Sequence, residues 1–582
     1  MKEKTFLSAF TIKFEEAPKR FPITIIWSIL GTIITLFAIE SKNFNTHFWS
    51  KIIITFILGV SWLIATKLIK EQLKRNTYWI YLLPLLVLTF FYISIPEKEK
   101  NIDEESSIRF FLYFLSGHLL VVLAPFLFYW NKEAFFNYLK NTFLAIAKSL
   151  FFSLVLCLGI FLALSAIEHL FDINFKENRF FQVFVACLGI INTWIYVADV
   201  PKGIHEAQTV DYTKGLEILV KYILLPLTVI YLVILYAYGL KIVINWNLPK
   251  GWVSYLVVIL SLLGFTIQLL INPIQKSTKS VLIKNFYPWF YYLMLPLVLL
   301  LFTAITRRIS DYGVTEKRYF VLVLAIWILA MILYMLFSNT KKVKIFITSL
   351  LVICMMISFG FWGVFSVATN SQIRQFEKVY TKIKEENFTV SQSRKNQLTS
   401  IIYYLDKKDQ LNKLESILQY NPETTFKETE SWKIPQKIID SLHLKVIDEE
   451  SYKYRYFNIN ETHLLFDVKD YDALKIMFFN GFNSEENKIN NYYFQLDETK
   501  NQLVIDNKKG IKYEIDLKEK AMQLLKLSSD YNVDLSYVTI VEEFEKLKIK
   551  IVFENINIQQ EGKTFKITNA KGYVLIKEKN AI

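Results

Sequence analysis

The feature that most limits the fold of this chain is a series of long apolar runs, all of them in its first 370 residues. An α-helix needs about twenty apolar residues to cross the hydrocarbon core of a bilayer. Because hydrocarbon offers the backbone no hydrogen-bond partner, each run is expected to form a helix that satisfies its own polar groups. They therefore predict an α-helical polytopic membrane bundle with about 11 transmembrane helices. The runs lie at about 21–39, 52–69, 78–96, 108–130, 148–170, 180–200, 218–240, 252–271, 287–305, 319–337 and 345–366.

Composition and charge agree with this division of the chain. Hydrophobic residues make up 53% and charged residues 21%, whereas soluble proteins average about a quarter charged. Residues 1–370 hold 34 Lys and Arg against 20 Asp and Glu, and residues 371–582 hold 33 of each kind. The whole excess of +14 therefore lies in the membrane part, where basic loops contact anionic lipid. A nucleic-acid-binding protein would need a basic soluble domain, so we predict the lipid bilayer and no nucleic acid as partner.

The distribution of basic loops predicts the orientation. The segments 1–20 and 67–77 are basic, and the segment 97–107 is acidic. By the positive-inside bias, residues 1–20 form a cytoplasmic N-terminal tail and residues 21–370 a multi-span transmembrane domain. Eleven crossings then leave the remainder extracytoplasmic. The basic residues of the 307–318 segment argue against this orientation.

From residue 371 the pattern becomes that of a soluble α+β C-terminal domain. Residues 371–443 form its helical segment, with helices predicted at 371–388, 394–420 and 435–442. Residues 444–582 are β-rich, with alternating strands at 454–459 and 547–553, turns at Gly510 and 561–563, and one inserted helix at 517–526.

Signatures of enzymes and cofactor sites do not occur in the sequence. There is no glycine-rich phosphate loop, no Gly-x-Ser-x-Gly elbow and no paired-histidine zinc helix. The three cysteines, Cys157, Cys187 and Cys354, all lie within apolar runs, as small buried residues do. We therefore predict no catalytic residue, no cofactor and no metal, and the sequence leans away from an enzyme.

Eight polar positions stand out as candidate functional residues, each with a simpler structural interpretation. His118 and Asn192 lie within runs, as a proton relay or as hydrogen-bonded interior groups. Asp199 and Lys221 border a polar loop at 199–221, where His205, Glu206 and Asp211 suggest either a metal site or offset ion pairs. The remaining four lie in a segment that is either a recognition loop or a re-entry turn: Asp311, Tyr312, Glu316 and Arg318.

Several phrases resemble a known bacterial family. They include Lys19-Arg20-Phe21-Pro22, the segments 221–241 and 248–254, Arg308 to Tyr319, and Ser371-Gln372 with Arg374. Together they resemble the integral membrane proteins known as domain of unknown function 4153, in the long form met in Bacteroidota, most strongly over about 200–375. The resemblance implies a multi-pass protein of the bacterial cytoplasmic (inner) membrane and assigns no catalytic residue.

Three functions are compatible with these features. The leading hypothesis is a membrane-anchored scaffold, sensor or assembly factor that presents an extracytoplasmic domain to an envelope protein partner. The first alternative is a transporter or channel for a small neutral or lipophilic solute, since eleven spans exceed what an anchor needs. The second alternative is a membrane enzyme acting on lipid or envelope precursors through the loops at 199–221 or 307–318.

Overall fold

The computed structural model shows a helical bundle followed by a region rich in β-strands. It describes residues 6–41, 46–73, 78–95, 104–176, 178–205, 209–210, 212–245, 252–276, 278–339, 341–427, 430, 433–447, 453–459, 467–480, 487–507, 511–527, 533–561 and 564–579.

Fourteen helices precede the chain's exit from the bundle. They are α1 (Phe6–Arg20), α2 (Pro22–Glu40), α3 (Thr46–Leu73), α4 (Leu82–Ser94), α5 (Glu104–Leu123), α6 (Lys132–Phe171), α7 (Asn178–Ala186), α8 (Thr193–Asp199), α9 (Lys214–Ile218), α10 (Leu225–Asn245), α11 (Trp252–Ile271), α12 (Val281–Tyr312), α13 (Glu316–Phe337) and α14 (Lys344–Ile357).

The prediction of a polytopic helical bundle is confirmed. Within the described residues, nine helices are long and apolar enough to cross a membrane. Two shorter apolar helices, Tyr78–Ser94 and Lys344–Ile357, occupy the positions of the third and eleventh predicted runs. The last helix ends at Ile357, earlier than the expected residue 366, because a turn follows in which Gly360 adopts a φ of +81°. Most other non-glycine residues would be strained there.

Two of the spans contain a turn of π-helix. Cys187–Asn192 is π-helical between α7 and α8, and Leu219–Leu224 is π-helical between α9 and α10. A π-turn adds one residue to a helical turn, so it changes which side chains face the interior, and such turns often occur at functional sites.

The bundle interior is a continuous apolar core dominated by aromatic rings. Phe265 packs edge-on against Trp327 with ring centroids 5.3 Å apart, and Phe286 stacks on Phe290 at 4.9 Å. Gly264 allows α11 to approach α12, since a Cβ there would lie 1.9 Å from the Phe290 ring. The outward faces carry exposed Leu, Ile and Phe side chains, as a surface in contact with lipid does.

The chain folds into two compact units. The first comprises residues 1–378 and 404–421, and the second comprises residues 379–403 and 422–582. The helices after the bundle are α15 (Val364–Glu385), α16 (Gln392–Lys407), α17 (Glu415–Leu418), α18 (Pro422–Thr425), α19 (Ile434–Ser441), α20 (Lys518–Leu525) and α21 (Leu535–Val538).

The predicted helix 394–420 is shorter than expected. It ends at Lys407 because Asp409 adopts a left-handed conformation with φ +51°, and short helical turns follow. The helix predicted at 371–388 begins earlier, at Val364. The helices expected at 435–442 and 517–526 are confirmed as α19 and α20.

The second unit contains eleven strands. They are β1 (Thr389–Ser391), β2 (Lys445–Ile447), β3 (Lys453–Asn458), β4 (Ala473–Asn480), β5 (Lys488–Ile489), β6 (Tyr492–Asp497), β7 (Gln502–Asp506), β8 (Lys512–Asp516), β9 (Thr539–Glu543), β10 (Leu547–Glu561) and β11 (Thr564–Glu578).

These strands form three sheets. β1 and β2 pair in parallel; β3, β10, β11 and β4 form an antiparallel sheet that β9 joins through β10; and β5 to β8 form a meander. Alternating apolar residues bury one face of each larger sheet, and a shared core contains Phe479, Phe494, Leu503 and Ile551. The turn expected at Gly510 lies outside the described residues, as do Gly562 and Lys563.

Candidate functional site

Ion pairs and hydrogen bonds identify two ends of the bundle. At the basic end, Arg20 at the end of α1 binds Glu71 on α3, and Lys344 at the start of α14 donates to the carbonyl of Phe126 after α5. At the exit end, Arg109 donates to the carbonyl of Ser358, where the chain leaves the last apolar helix. The eight polar positions singled out in the sequence divide between these ends and the interior.

His118 is a half-buried residue within α5. Its Nδ1 lies 2.8 Å from the carbonyl oxygen of Phe114 one turn earlier, and its ring packs on the Phe114 ring with centroids 4.2 Å apart. These are the contacts of a hydrogen-bonded interior histidine. A relay would need a further titratable group beside the ring.

Asn192 and Lys221 both lie on the π-helical turns. The Oδ1 atom of Asn192 is buried and has no hydrogen-bond partner among the described atoms. The same turn packs tightly against α2, since a Cβ on Gly189 would lie 2.1 Å from Thr32 Oγ1. Lys221 lies over the ring of the neighbouring Tyr222 at 5.3 Å. These two turns distinguish their helices from the regular spans around them.

Asp199 belongs to an ion-pair cluster at the basic end. Its carboxylate lies 2.7 Å from the ammonium of Lys13 on α1 and 3.7 Å from that of Lys148 on α6. Lys202 pairs with Glu16 nearby. Glu206 and Asp211, two of the three residues considered for a metal, lie outside the described part of the chain. Among the described residues no group of three or more His, Cys, Asp and Glu side chains is placed to hold a metal ion.

The hinge between α12 and α13 is held by the first turns of α15. Gly313 turns the chain with φ +71°. The amide of Gln372 donates to the carbonyls of Tyr312 and Val314 at 3.1 and 2.9 Å, and the hydroxyl of Ser371 accepts from the Val314 N–H. Three further contacts complete the hinge: Gln375 donates to Asp311 O, and Arg318 donates to Tyr312 O and Gly313 O.

Glu316 lies at the start of α13, in the most enclosed polar site of the exit end. The ammonium of Lys408 lies 2.8 Å from its carboxylate, and the two side chains are only 10% and 11% exposed. The phenol of Tyr404 donates to the same carboxylate at 3.0 Å. Burial and the adjacent Glu316 carboxylate raise the pKa of Tyr404 well above its ordinary value, so the phenol stays protonated as a donor.

The surroundings of Lys408 complete the neutralisation of this buried charge. Its ammonium lies 5.5 Å from the ring centre of Phe365, and the guanidinium of Arg109 lies 4.5 Å from the same ring. Next along the chain, Lys407 pairs with Glu104 at 2.8 Å in a much more exposed position. The site thus joins α13, α15, α5 and the 404–408 segment within the first unit.

Two of these residues, Tyr404 and Lys408, were not predicted as functional from the sequence. They lie one helical turn apart in a segment expected to be an amphipathic helix, where Tyr and Lys are ordinary residues. The Glu316–Tyr404 contact spans 88 residues of sequence, so no local signal could have indicated it.

Comparison with known proteins assigns the family. The family described as "Domain of unknown function (DUF4153)" matches residues 25–392, more than half of the chain. The chain belongs to the DUF4153 family. The DUF4153 match includes the hinge and Gln372, and it ends before Tyr404 and Lys408.

One curated relative has a matching segment. This DUF4153 protein is 27% identical over 234 residues to an uncharacterized protein of Pasteurella multocida (strain Pm70). The aligned segment spans 39% of this chain and 39% of that relative, so it covers well under two thirds of either length. No solved structure matches the DUF4153 chain.

Proposed function

We propose that this DUF4153 protein is a scaffold of the bacterial cytoplasmic membrane whose helical bundle carries an extracytoplasmic α+β unit. The observation that supports this most directly is the junction at the exit end. Gln372, Tyr404 and Lys408, all of them beyond the last apolar helix, bind the hinge and Glu316 at the end of the bundle. A simple tether between an anchor and a soluble unit would not need such contacts.

The chemistry of the junction favours a fixed geometry. A buried ion pair contributes little to net stability but disfavours arrangements in which either charge is left unpaired. Since Glu316 also accepts from Tyr404, it is held in one geometry by both partners. We infer that the bundle gives the chain that leaves it a defined position.

Charge supports the proposed orientation. The basic end carries Lys13, Lys67, Lys70 and Lys344 together with Arg20, as cytoplasmic ends do. At the exit end, the basic residues of the 307–318 segment are offset by Asp311 and Glu316 there and by Glu104 and Glu105 on α5.

Two measurements together test the scaffold. Proteoliposomes containing the full chain should swell in neutral solutes no faster than protein-free liposomes. In cells, a photoreactive residue in place of Phe478, a 60% exposed apolar side chain on β4, should yield one discrete adduct with another envelope protein. The same residue in place of exposed Lys518 serves as control. Solute flux, or equal diffuse labelling from both positions, would contradict the proposal.

A specific observation favours a second candidate, a carrier or channel for a small neutral solute. Asn192 places an amide oxygen without a described partner in a π-turn inside a span, where an unpaired polar group is costly. Under this alternative, Asn192→Leu abolishes flux while it raises thermal stability. Under the scaffold proposal there is no flux to lose, and only the stability increases.

A further inference from the structure

A cavity of about 440 Å³ opens at the basic end of the bundle. Its polar wall is formed by Arg20, Glu71 and His205, and its apolar wall includes Leu68 and Tyr129. Cavities of about 300–1,000 Å³ with a few convergent polar groups are typical of small-ligand sites. All of its lining residues belong to the first unit.

The charges in this cavity form a nearly neutral pair with spare capacity on one side. Arg20 donates through Nε and Nη2 to the two carboxylate oxygens of Glu71 at 3.0 and 2.9 Å. It also donates to the carbonyls of Val200 and Pro201, so four of its N–H groups are used. A guanidinium has about five such groups, and a carboxylate has about four acceptor positions. Glu71 therefore retains room for a further donor, and Arg20 retains one N–H.

This pairing selects the charge type of a ligand. A simple anion would have to compete with Glu71 for Arg20, and a simple cation would have to compete with Arg20 for Glu71. A zwitterion meets both charges with its own opposite charges and leaves no buried charge unmatched. The ring N–H of His205 adds a donor on the same wall, suited to an oxyanion.

The mouth of the cavity indicates an amphiphile. Phe128 is 67% exposed and Tyr129 is 55% exposed beside it, and Trp130 follows in the chain. Aromatic residues of this kind concentrate at the membrane–water interface, where the ends of spanning helices lie. The face of Tyr129 also suits an ammonium group, which is attracted by aromatic rings.

We propose that this cavity binds the zwitterionic headgroup of an amine-bearing phospholipid such as phosphatidylethanolamine. The ammonium binds the free acceptor positions of Glu71 beside the Tyr129 ring. The phosphate binds the remaining N–H of Arg20 and the imidazole of His205. The acyl chains lie along Phe128 in the adjoining leaflet.

Thermal-shift titration of the detergent-purified full chain tests this assignment. Short-chain phosphatidylethanolamine should raise the melting temperature at lower concentration than short-chain phosphatidylglycerol. Glu71→Gln should weaken the phosphatidylethanolamine response about tenfold and leave the phosphatidylglycerol response nearly unchanged, because it removes one charge-assisted contact to the ammonium.

A cavity-filling variant separates ligand binding from the structural role of the Arg20–Glu71 pair. Ile204→Trp fills the cavity and leaves both charges in place, so it should remove the response without lowering the ligand-free melting temperature. Ile230→Trp makes the same change on a 56% exposed face of α10 and should respond like the wild type.

The source of the ligand follows from a third titration, with water-soluble phosphoethanolamine. A response to both compounds supports a headgroup site that needs no acyl chain, and a response to the lipid alone supports occupation from the bilayer. The assignment is overturned if neither compound shifts the melting temperature, or if Ile204→Trp and Glu71→Gln respond as the wild type does.

Discussion

The carboxylate of Glu316 has two partners at the exit end, the ammonium of Lys408 and the phenol of Tyr404. All three groups belong to the first unit, and the ion pair is nearly excluded from solvent. Removal of one partner from a buried pair leaves an uncompensated charge, which costs much more than the pair contributes.

Glu316→Gln and Lys408→Met should therefore each lower the free energy of unfolding by about 3–5 kcal/mol. The double variant Glu316→Leu/Lys408→Met should recover a large part of that loss, because no charge stays buried. Unfolding by a denaturing detergent in mixed micelles, followed by circular dichroism, measures the three differences.

Lys407→Met is the matched control for these variants. Lys407 is the neighbouring residue and pairs with Glu104 at the same distance of 2.8 Å, but the two side chains are 63% and 47% exposed. An exposed pair contributes about 0–1 kcal/mol, so this variant should be nearly neutral. Equal losses for Lys407→Met and Lys408→Met would show that burial does not distinguish the two pairs.

Tyr404→Phe tests the raised pKa of the phenol. The variant should cost about 1–2 kcal/mol near pH 7, because the Glu316 carboxylate loses a buried donor. A pKa raised in the folded state gives stability that is fully present below the unfolded value near 10 and is lost as the pH rises through the folded pKa. The difference between wild type and variant should thus be constant from pH 7 to 9 and shrink above pH 10. A difference that shrinks below pH 9 would contradict the raised pKa.

Sequence reasoning at the residue scale identified half of this site. Asp311, Tyr312, Glu316 and Arg318 stood out because charged residues between two apolar runs are conspicuous. Their partners did not, because Gln372, Tyr404 and Lys408 come from ordinary polar helices that are brought to the hinge only by folding.

At the scale of elements, the packing of α11 against α12 depends on a single glycine. A methyl group on Gly264 would enter the Phe290 ring, and both residues lie in the interior. Gly264→Ala should lower the melting temperature through about 1–3 kcal/mol of overpacking.

Gly159→Ala on α6 is the comparison for this change. The sequence pairs Gly159 with Ala163 in a small-residue pattern that often marks close helix contact. In the structure a Cβ on Gly159 would meet no atom within 4 Å. Alanine there should be neutral, or stabilise by up to about 1 kcal/mol through helix propensity. A similar loss at both positions would contradict the close approach at Gly264.

The apolar spans were predictable because the lipid environment imposes one solution on each run. Their ends were less so. The 40-residue α6 begins well before the run at 148–170, since its first turns carry polar residues on a helix capped by Asn131. Likewise, the π-turns have no sequence signal of their own, because they arise from packing against neighbouring helices.

At the scale of the whole molecule, the first unit takes back residues 404–421 after the chain has passed through part of the second unit. Truncation after residue 370 removes every partner of the hinge and of Glu316 named above, whereas truncation after residue 421 keeps them. The shorter protein should melt lower by about 5 °C or more, as expected for a loss of a few kcal/mol. Equal melting temperatures would show that these contacts do not stabilise the bundle.

The most direct test of the membrane scaffold is the side of the bilayer on which each end of the bundle lies. In a cysteine-free chain, Lys19→Cys at the basic end and Lys413→Cys beyond α16 each give one exposed thiol for a membrane-impermeant maleimide in intact cells. The account predicts labelling of the thiol at position 413 from outside, and labelling at position 19 only after the cytoplasmic membrane is opened. Labelling of both positions from the same side would contradict it.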